Sequence, residues 1–270
     1  MELYAALETI LTSRTPEEKI SLFRTFYDAY CRGSVTRDPA HPATVFEEAS
    51  YREFCTITDP KEVPRRTGLN TPKGQILLLH AIVHIEYSAI DLALDAVYRF
   101  RDAGEEFERD WLVVAEDEVR HFEMIEALLR DLGSFYGEYP VHDALFETSM
   151  RTLNLLDRMA VVPRYLEANG LDATPQILRK LEPYRDDATI AKIIAALHVI
   201  LEEEIDHVRK GDKWFEAACT REGKGNEVYF EIIDRYYPRS FPRKIEVNCE
   251  ARKLAGFDQD ELEKISLHRC

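Results

Sequence analysis

Apolar residues recur every three to four positions through most of the chain, a spacing that predicts helices and no sheet. Thr15-Pro16-Glu17-Glu18 is a helix start: a capping hydroxyl, a proline in the first turn, then acids against the helix dipole. That helix should run to about Arg32, followed by polar, proline-bearing stretches over 33–42 and 56–68. Four long helical segments follow. They run from about Pro72 to Phe100, from Glu105 to Leu132, from near His142 to a stop at Asn169-Gly170, and from Asp187 to Thr220. Asp172-Ala173-Thr174-Pro175 should open a short helix that Pro183 closes. The pattern predicts an all-α protein. Residues 71–220 form a four-helix bundle, 1–70 add helices and loops packed on it, and 221–270 wrap it with two shorter helices.

Within this pattern some charged residues fall on apolar faces. Glu118 and His121 are three positions apart, so they share a face with Trp111, Val114, Ala115, Phe122 and Ile125. Glu204 and His207 repeat the arrangement among Leu197, Ile200, Leu201 and Val208. Glu86 lies among Ile82, Val83, Ile90 and Ala93, and Glu167 shares its face with Leu156, Ala160 and Pro163. A helix with one inward glutamate precedes a helix with Glu-x-x-His, and the unit occurs twice. Burying four unpaired carboxylates would cost several kcal/mol each, unless cations neutralise them. Two divalent ions held by Glu86, Glu118, His121, Glu167, Glu204 and His207 meet that need, and this is the ligand set of di-iron helical bundles. Oxygen and nitrogen donors suit iron or manganese, as Fe/Fe, Fe/Mn or manganese alone. Glu203 also lies one turn before His207, on a more polar face, so Glu204 is preferred. Asp91 and Asp206 are candidates to orient the imidazoles or to form plain salt bridges, and Arg164 is placed to pair with Glu167. His80, His84 and His198 fall off the ligand faces and read as hydrogen-bonded helix histidines. From the reference imidazole pKa, protons should compete with metal over roughly pH 7 to 5.

Bulk composition narrows the class. The 270 residues are 45% hydrophobic and 31% charged, enough for a sizeable core and a solvated surface, and the net charge of −15 disfavours a broad nucleic-acid face. The five cysteines are scattered without a Cys-x-x-Cys pair, which reads as reduced thiols in a cytoplasmic protein. Residues 1–15 carry acids where a signal peptide is basic and then apolar, and no stretch reaches the roughly 18 uncharged apolar residues of a membrane span.

Several runs resemble a known family. HAIVHIEYSAIDLALDAVYRF (80–100), DWLVVAEDEVRHF (110–122), RMAVVPRYLEANGLDATP (158–175), ILEEEIDHVRKGDKWF (200–215) and NCEARKLAGFDQDEL (248–262) are similar to the bacterial ferritin-like proteins of the domain-of-unknown-function 455 family. The likeness covers about residues 65–265 and departs at Asn169, where the family often has arginine. More distantly, the sequence is similar to the tRNA-modifying di-iron hydroxylases. The resemblance implies a ferritin-like fold with a dinuclear metal centre, and places Asn248 and Arg252 in a tail that caps the site. It supplies no reaction. The expected function is an oxidase or monooxygenase acting with O2 or peroxide and an external electron donor, on a small organic or nucleoside-type substrate. Glu118 or Glu204 would bridge the ions. The chain would be a monomer or homodimer. Iron storage with ferroxidase activity and peroxide removal are the rival expectations.

Overall fold

Helix α1 (Leu3–Leu11) is opened by Glu2, whose carboxylate accepts the Ala5 amide at 2.7 Å. The sequence reading assigns no helix there, because glutamate is not among the favoured capping residues. Helix α2 (Pro16–Cys31) starts as expected, with Thr15 Oγ1 accepting the Glu18 amide at 3.1 Å. In this computed structural model, which describes residues 1–270, the chain is all-helical. There is no strand, and the only bridges are isolated ones from Glu2 to Thr36 and from Ile57 to Val141. It divides into two compact units, Met1–Glu147 and Thr148–Cys270.

In the first unit, α3 (Pro72–Arg99) and α4 (Glu105–Asp131) pack against each other as a hairpin. Gly104, at φ +95°, makes the reversal between them. Helix α3 is long and apolar enough by composition to cross a membrane, although Glu86 and Asp91 keep it short of 18 uncharged residues in a row. However, 72% of its apolar stretch is buried within the protein, as in the core helix of a soluble protein. His80 and His84 tie α3 to the 136–142 loop. His80 Nε2 accepts the amides of Gly137 (3.1 Å) and Tyr139 (3.2 Å), while His84 bonds Tyr136 Oη and the His142 carbonyl, each at 2.9 Å. Burial lowers both imidazole pKa values to about 4, so both rings are neutral structural acceptors and donors.

From Ala144 onward the chain departs from the expected single third helix. The chain forms α5 (Ala144–Arg151), breaks, and restarts as α6 (Leu155–Val161), capped by Asn154 Oδ1 on the Asp157 amide at 2.8 Å. A π-helical stretch, Val162–Glu167, follows, and α7 (Ala168–Leu181) continues directly from it. Asn169-Gly170 is therefore not a stop, and Pro175 lies inside α7 rather than opening a new helix. The tail explains why the helix survives. Pro175 has no N–H for the Leu171 carbonyl, and Asn248 Nδ2 donates to that carbonyl instead, at 3.3 Å. Arg243 bonds Asn169 Oδ1.

Helix α8 (Ala188–Glu222) is opened by Asp187, which accepts the Thr189 and Ile190 amides, and ends at the left-handed Gly223. It closes tightly on the π stretch: a Cβ at Gly211 would lie 2.3 Å from Pro163 Cβ. Gly211→Ala is therefore expected to lower stability by about 1–3 kcal/mol through overpacking. Urea unfolding measures this, and an unchanged midpoint would contradict the close approach.

The tail holds three short helices, not two: α9 (Val228–Tyr236), α10 (Cys249–Leu254) and α11 (Gln259–Ile265). The reduced-thiol reading is also corrected, because Cys249 and Cys270 form a disulfide. The chain reverses after α10 at Gly256 (φ +108°), which allows residues 21 apart in sequence to meet with their Cα atoms 5.5 Å apart. Cys31, Cys55 and Cys219 are free.

Candidate metal centre

In the first unit the hairpin brings two carboxylates and an imidazole together. Glu118 and His121 project from α4 and Glu86 from α3, with relative exposures of 0, 0 and 4%. The apolar neighbours expected around them are buried as well: Ile82, Val83 and Ile90 on α3, and Trp111, Ala115, Phe122 and Ile125 on α4. His121 Nδ1 lies 3.3 Å from Glu86 Oε2 and 3.5 Å from Glu118 Oε2. Ligand atoms of the three residues fall within 4.8 Å of one another. Donors bound at about 2.1 Å from one ion sit about 3 Å apart in cis positions and about 4 Å in trans. The trio therefore has the spacing and the donor chemistry of a hard-to-borderline divalent cation.

The electrostatics show what such an ion would replace. Burial alone would lower the pKa of His121. Hydrogen bonds and charge from Glu118, then Glu86, outweigh it and raise the value to about 11. In the metal-free protein the imidazolium proton is the counter-charge of the two carboxylates. The raised His121 pKa extends the expected competition between protons and metal above the pH 7 to 5 range of an ordinary imidazole.

The second unit carries the matching pair. His207 is fully buried on α8, and its Nδ1 lies 3.6 Å from Glu204 Oε1. In both Glu-x-x-His pairs it is Nδ1 that faces the carboxylate, so the repeat extends from sequence to ring orientation. Glu204 is less enclosed, with its side chain 14% exposed. Glu167, at the end of the π stretch, is half-buried. Glu203 is half-buried as well.

The residues expected to orient the ligands make other contacts. Asp91 pairs with the fully buried Lys19 and accepts Ser50 Oγ at 2.9 Å. Burial lowers the Lys19 pKa and raises that of Asp91, with each partner opposing the shift of the other. Asp206 bonds Arg209 and Lys210, and these two cations hold its pKa down against the effect of partial burial. Arg164 donates to Asp212 Oδ1 at 2.5 Å and to Glu261 at 2.8 and 2.9 Å. Lys19, Asp212 and Glu261 escaped the sequence reading. For Lys19 a signal existed, since it sits on the stripe of Pro16, Ile20, Phe23 and Phe26, all of them buried. Asn248 and Arg252, which the resemblance places over the site, bond α7: Asn248 N donates to Asp172 Oδ1 at 3.0 Å, and Arg252 donates to both oxygens of Asp172.

Comparison with known proteins gives the family. No solved structure matches the chain. A Haemophilus influenzae protein carrying the name "Uncharacterized protein" is 36% identical over 276 residues, covering 98% of this chain and 93% of its own. The family described as "Protein of unknown function (DUF455)" matches residues 12–263. The chain, with its buried carboxylate–histidine cluster, belongs to the DUF455 family.

Proposed function

We propose that the protein is a ferritin-like, carboxylate-bridged dinuclear metal protein, an oxidoreductase acting with O2 on a small organic or nucleoside-type substrate. The observation that carries this reading is the enclosed Glu86–Glu118–His121 cluster, together with the repeat of its Glu-x-x-His geometry at Glu204 and His207. Glu86, Glu118, His121, Glu167, Glu204 and His207 would hold two ions, iron with iron or manganese, with one imidazole for each and the carboxylates shared. When bound, such a pair supplies redox equivalents and Lewis acidity to O2.

The protein's own residues set the conditions for that chemistry. To hold an ion, His121 would give up its proton from Nδ1, and the ion would take over the counter-charge that this proton offers Glu86 and Glu118. Trp111, Phe122, Ile125 and Ile90, buried on the faces that carry the first-unit donors, would keep water from a bound ion and strengthen the donors' field there. Glu167 and Glu204, less enclosed than Glu86 and Glu118, would be the carboxylates with more room to move on binding metal.

The storage alternative is separated by iron loading. Aerobic addition of excess Fe(II), followed by light scattering and iron analysis, should give a monomer or dimer with about two irons per chain, as the ligand set allows. A 24-chain shell, or a mineral core of many irons per chain, would replace the enzyme reading with storage.

A further inference from the structure

The π stretch Val162–Glu167 ends on a proposed ligand, and its geometry is held from outside. The Ala168 amide reaches back five residues to the Pro163 carbonyl. A plain α register would pair that amide with the Arg164 carbonyl. Tyr229 Oη, fully buried on α9, donates to the Arg164 carbonyl at 3.0 Å. On the other side of Glu167, Arg252 Nη2 donates to the Ala168 carbonyl at 3.0 Å.

The Arg164 side chain is enclosed in the same way, at 1% exposure. Its guanidinium lies 4.3 Å from the ring centre of Tyr229, 4.6 Å from Phe257 and 4.8 Å from Phe215. Asp212 on α8 and Glu261 on α11 neutralise it. Glu261 is itself fixed by a reciprocal capping box with Asp258. Gly256 lets the turn before α11 close over this assembly, since a Cβ there would lie 2.2 Å from Asp212 Oδ2. A buried arginine with two carboxylates, three rings and a tyrosine on its own carbonyl is an expensive arrangement for an ordinary helix-packing contact.

We propose that Arg164 is a positioning residue and that the C-terminal segment, through Glu261, Tyr229, Phe257 and Arg252, clamps residues 162–167 in the π register that aims Glu167. The inference rests on the reading of Glu167 as a metal ligand. One residue of register turns a helix face by about 100°. Relaxation of the stretch to a plain α-helix would therefore re-aim the Glu167 carboxylate. The tail then acts as part of the metal site without contributing a ligand.

The test uses the full chain, metal-free, with Mn(II) as the probe. Amide hydrogen exchange over 160–170 is measured beside Mn(II) binding counted by electron paramagnetic resonance. Arg164→Lys keeps the charge but loses the planar fork. It should speed exchange of the 164–168 amides about tenfold. It should also weaken one of two Mn(II) equivalents about tenfold or more, the cost typical of losing a group that orients a ligand. Tyr229→Phe, which removes one hydroxyl and keeps the ring, should move both readouts the same way by a smaller factor. Unchanged exchange and unchanged Mn(II) binding in Tyr229→Phe and Arg164→Lys would overturn the clamp. Glu167→Gln separates the two ideas. If it binds Mn(II) as the parent does, Glu167 is not a ligand, and the proposal that the clamp serves the metal site falls with it even if exchange responds.

Discussion

Replacing both His121 and His207 with alanine should abolish tight binding of two metal ions per chain while leaving most of the helical circular dichroism. Each imidazole lies on a different helix, fully buried, with Nδ1 toward a carboxylate 3.3–3.6 Å away. Removing one eliminates the neutral donor of its pair and leaves carboxylates that a divalent ion satisfies poorly alone. The His121 change has a second effect. In the metal-free state its imidazolium charge offsets part of the charge of Glu86 and Glu118, so His121→Ala leaves two buried carboxylates without it. Breaking a buried ion pair by removing one partner costs about 3–5 kcal/mol. The metal-free variant should therefore unfold at clearly lower temperature, and more so above neutral pH, where both carboxylates stay ionised. Glutamine at position 121 is the milder control, since it can donate to one carboxylate. Retention of two equivalents of metal by the double alanine variant would refute the ligand assignment.

The pH dependence of metal affinity should be steep and should extend well above the ordinary imidazole range. The folded, metal-free His121 has its pKa raised from 6.5 to about 11. A raised pKa means that the imidazolium stabilises the metal-free fold fully below 6.5, and that this contribution disappears as pH rises through about 11. Metal binding is the mirror image. The ion must expel that proton at any pH below about 11, so each unit of acidification costs one factor of ten in affinity. Between pH 8 and pH 6 the Mn(II) affinity should fall by about a hundredfold from this proton alone. Binding should also release acid, measurable in a weakly buffered solution. An affinity flat from pH 8 to pH 7, as an unperturbed imidazole would give, would contradict the His121 environment.

The reach of the sequence depended on where the stabilising partner lay. Helices α2, α3 and α8 were legible because the capping residues Thr15, Thr71 and Asp187 are local, and each accepts an amide within the next three residues. The burial of Glu86, Glu118, His121 and His207 was legible because helical periodicity places them on apolar stripes. The third helix was not, because its fate is decided by residues far along the chain. Asn248, Arg243 and Arg252 hold α7 through Asn169, Leu171 and Asp172, where the local sequence reads as a stop and a restart. The π register at Val162–Glu167 and the disulfide between Cys249 and Cys270 likewise depend on tail packing that no local pattern encodes. Lys19 and Asp91 form a pair 72 residues apart, so no local pattern joins them, and of the two readings of Asp91 the salt bridge is the one the fold shows.

The central claim is a two-ion site built from four glutamates and two histidines. It is tested most directly by anaerobic titration of the metal-free protein with Mn(II), counting free ion by electron paramagnetic resonance. The account predicts saturation at two equivalents per chain, with the spectral broadening of two coupled ions. Saturation at one equivalent, or no tight binding at pH 8, would contradict it.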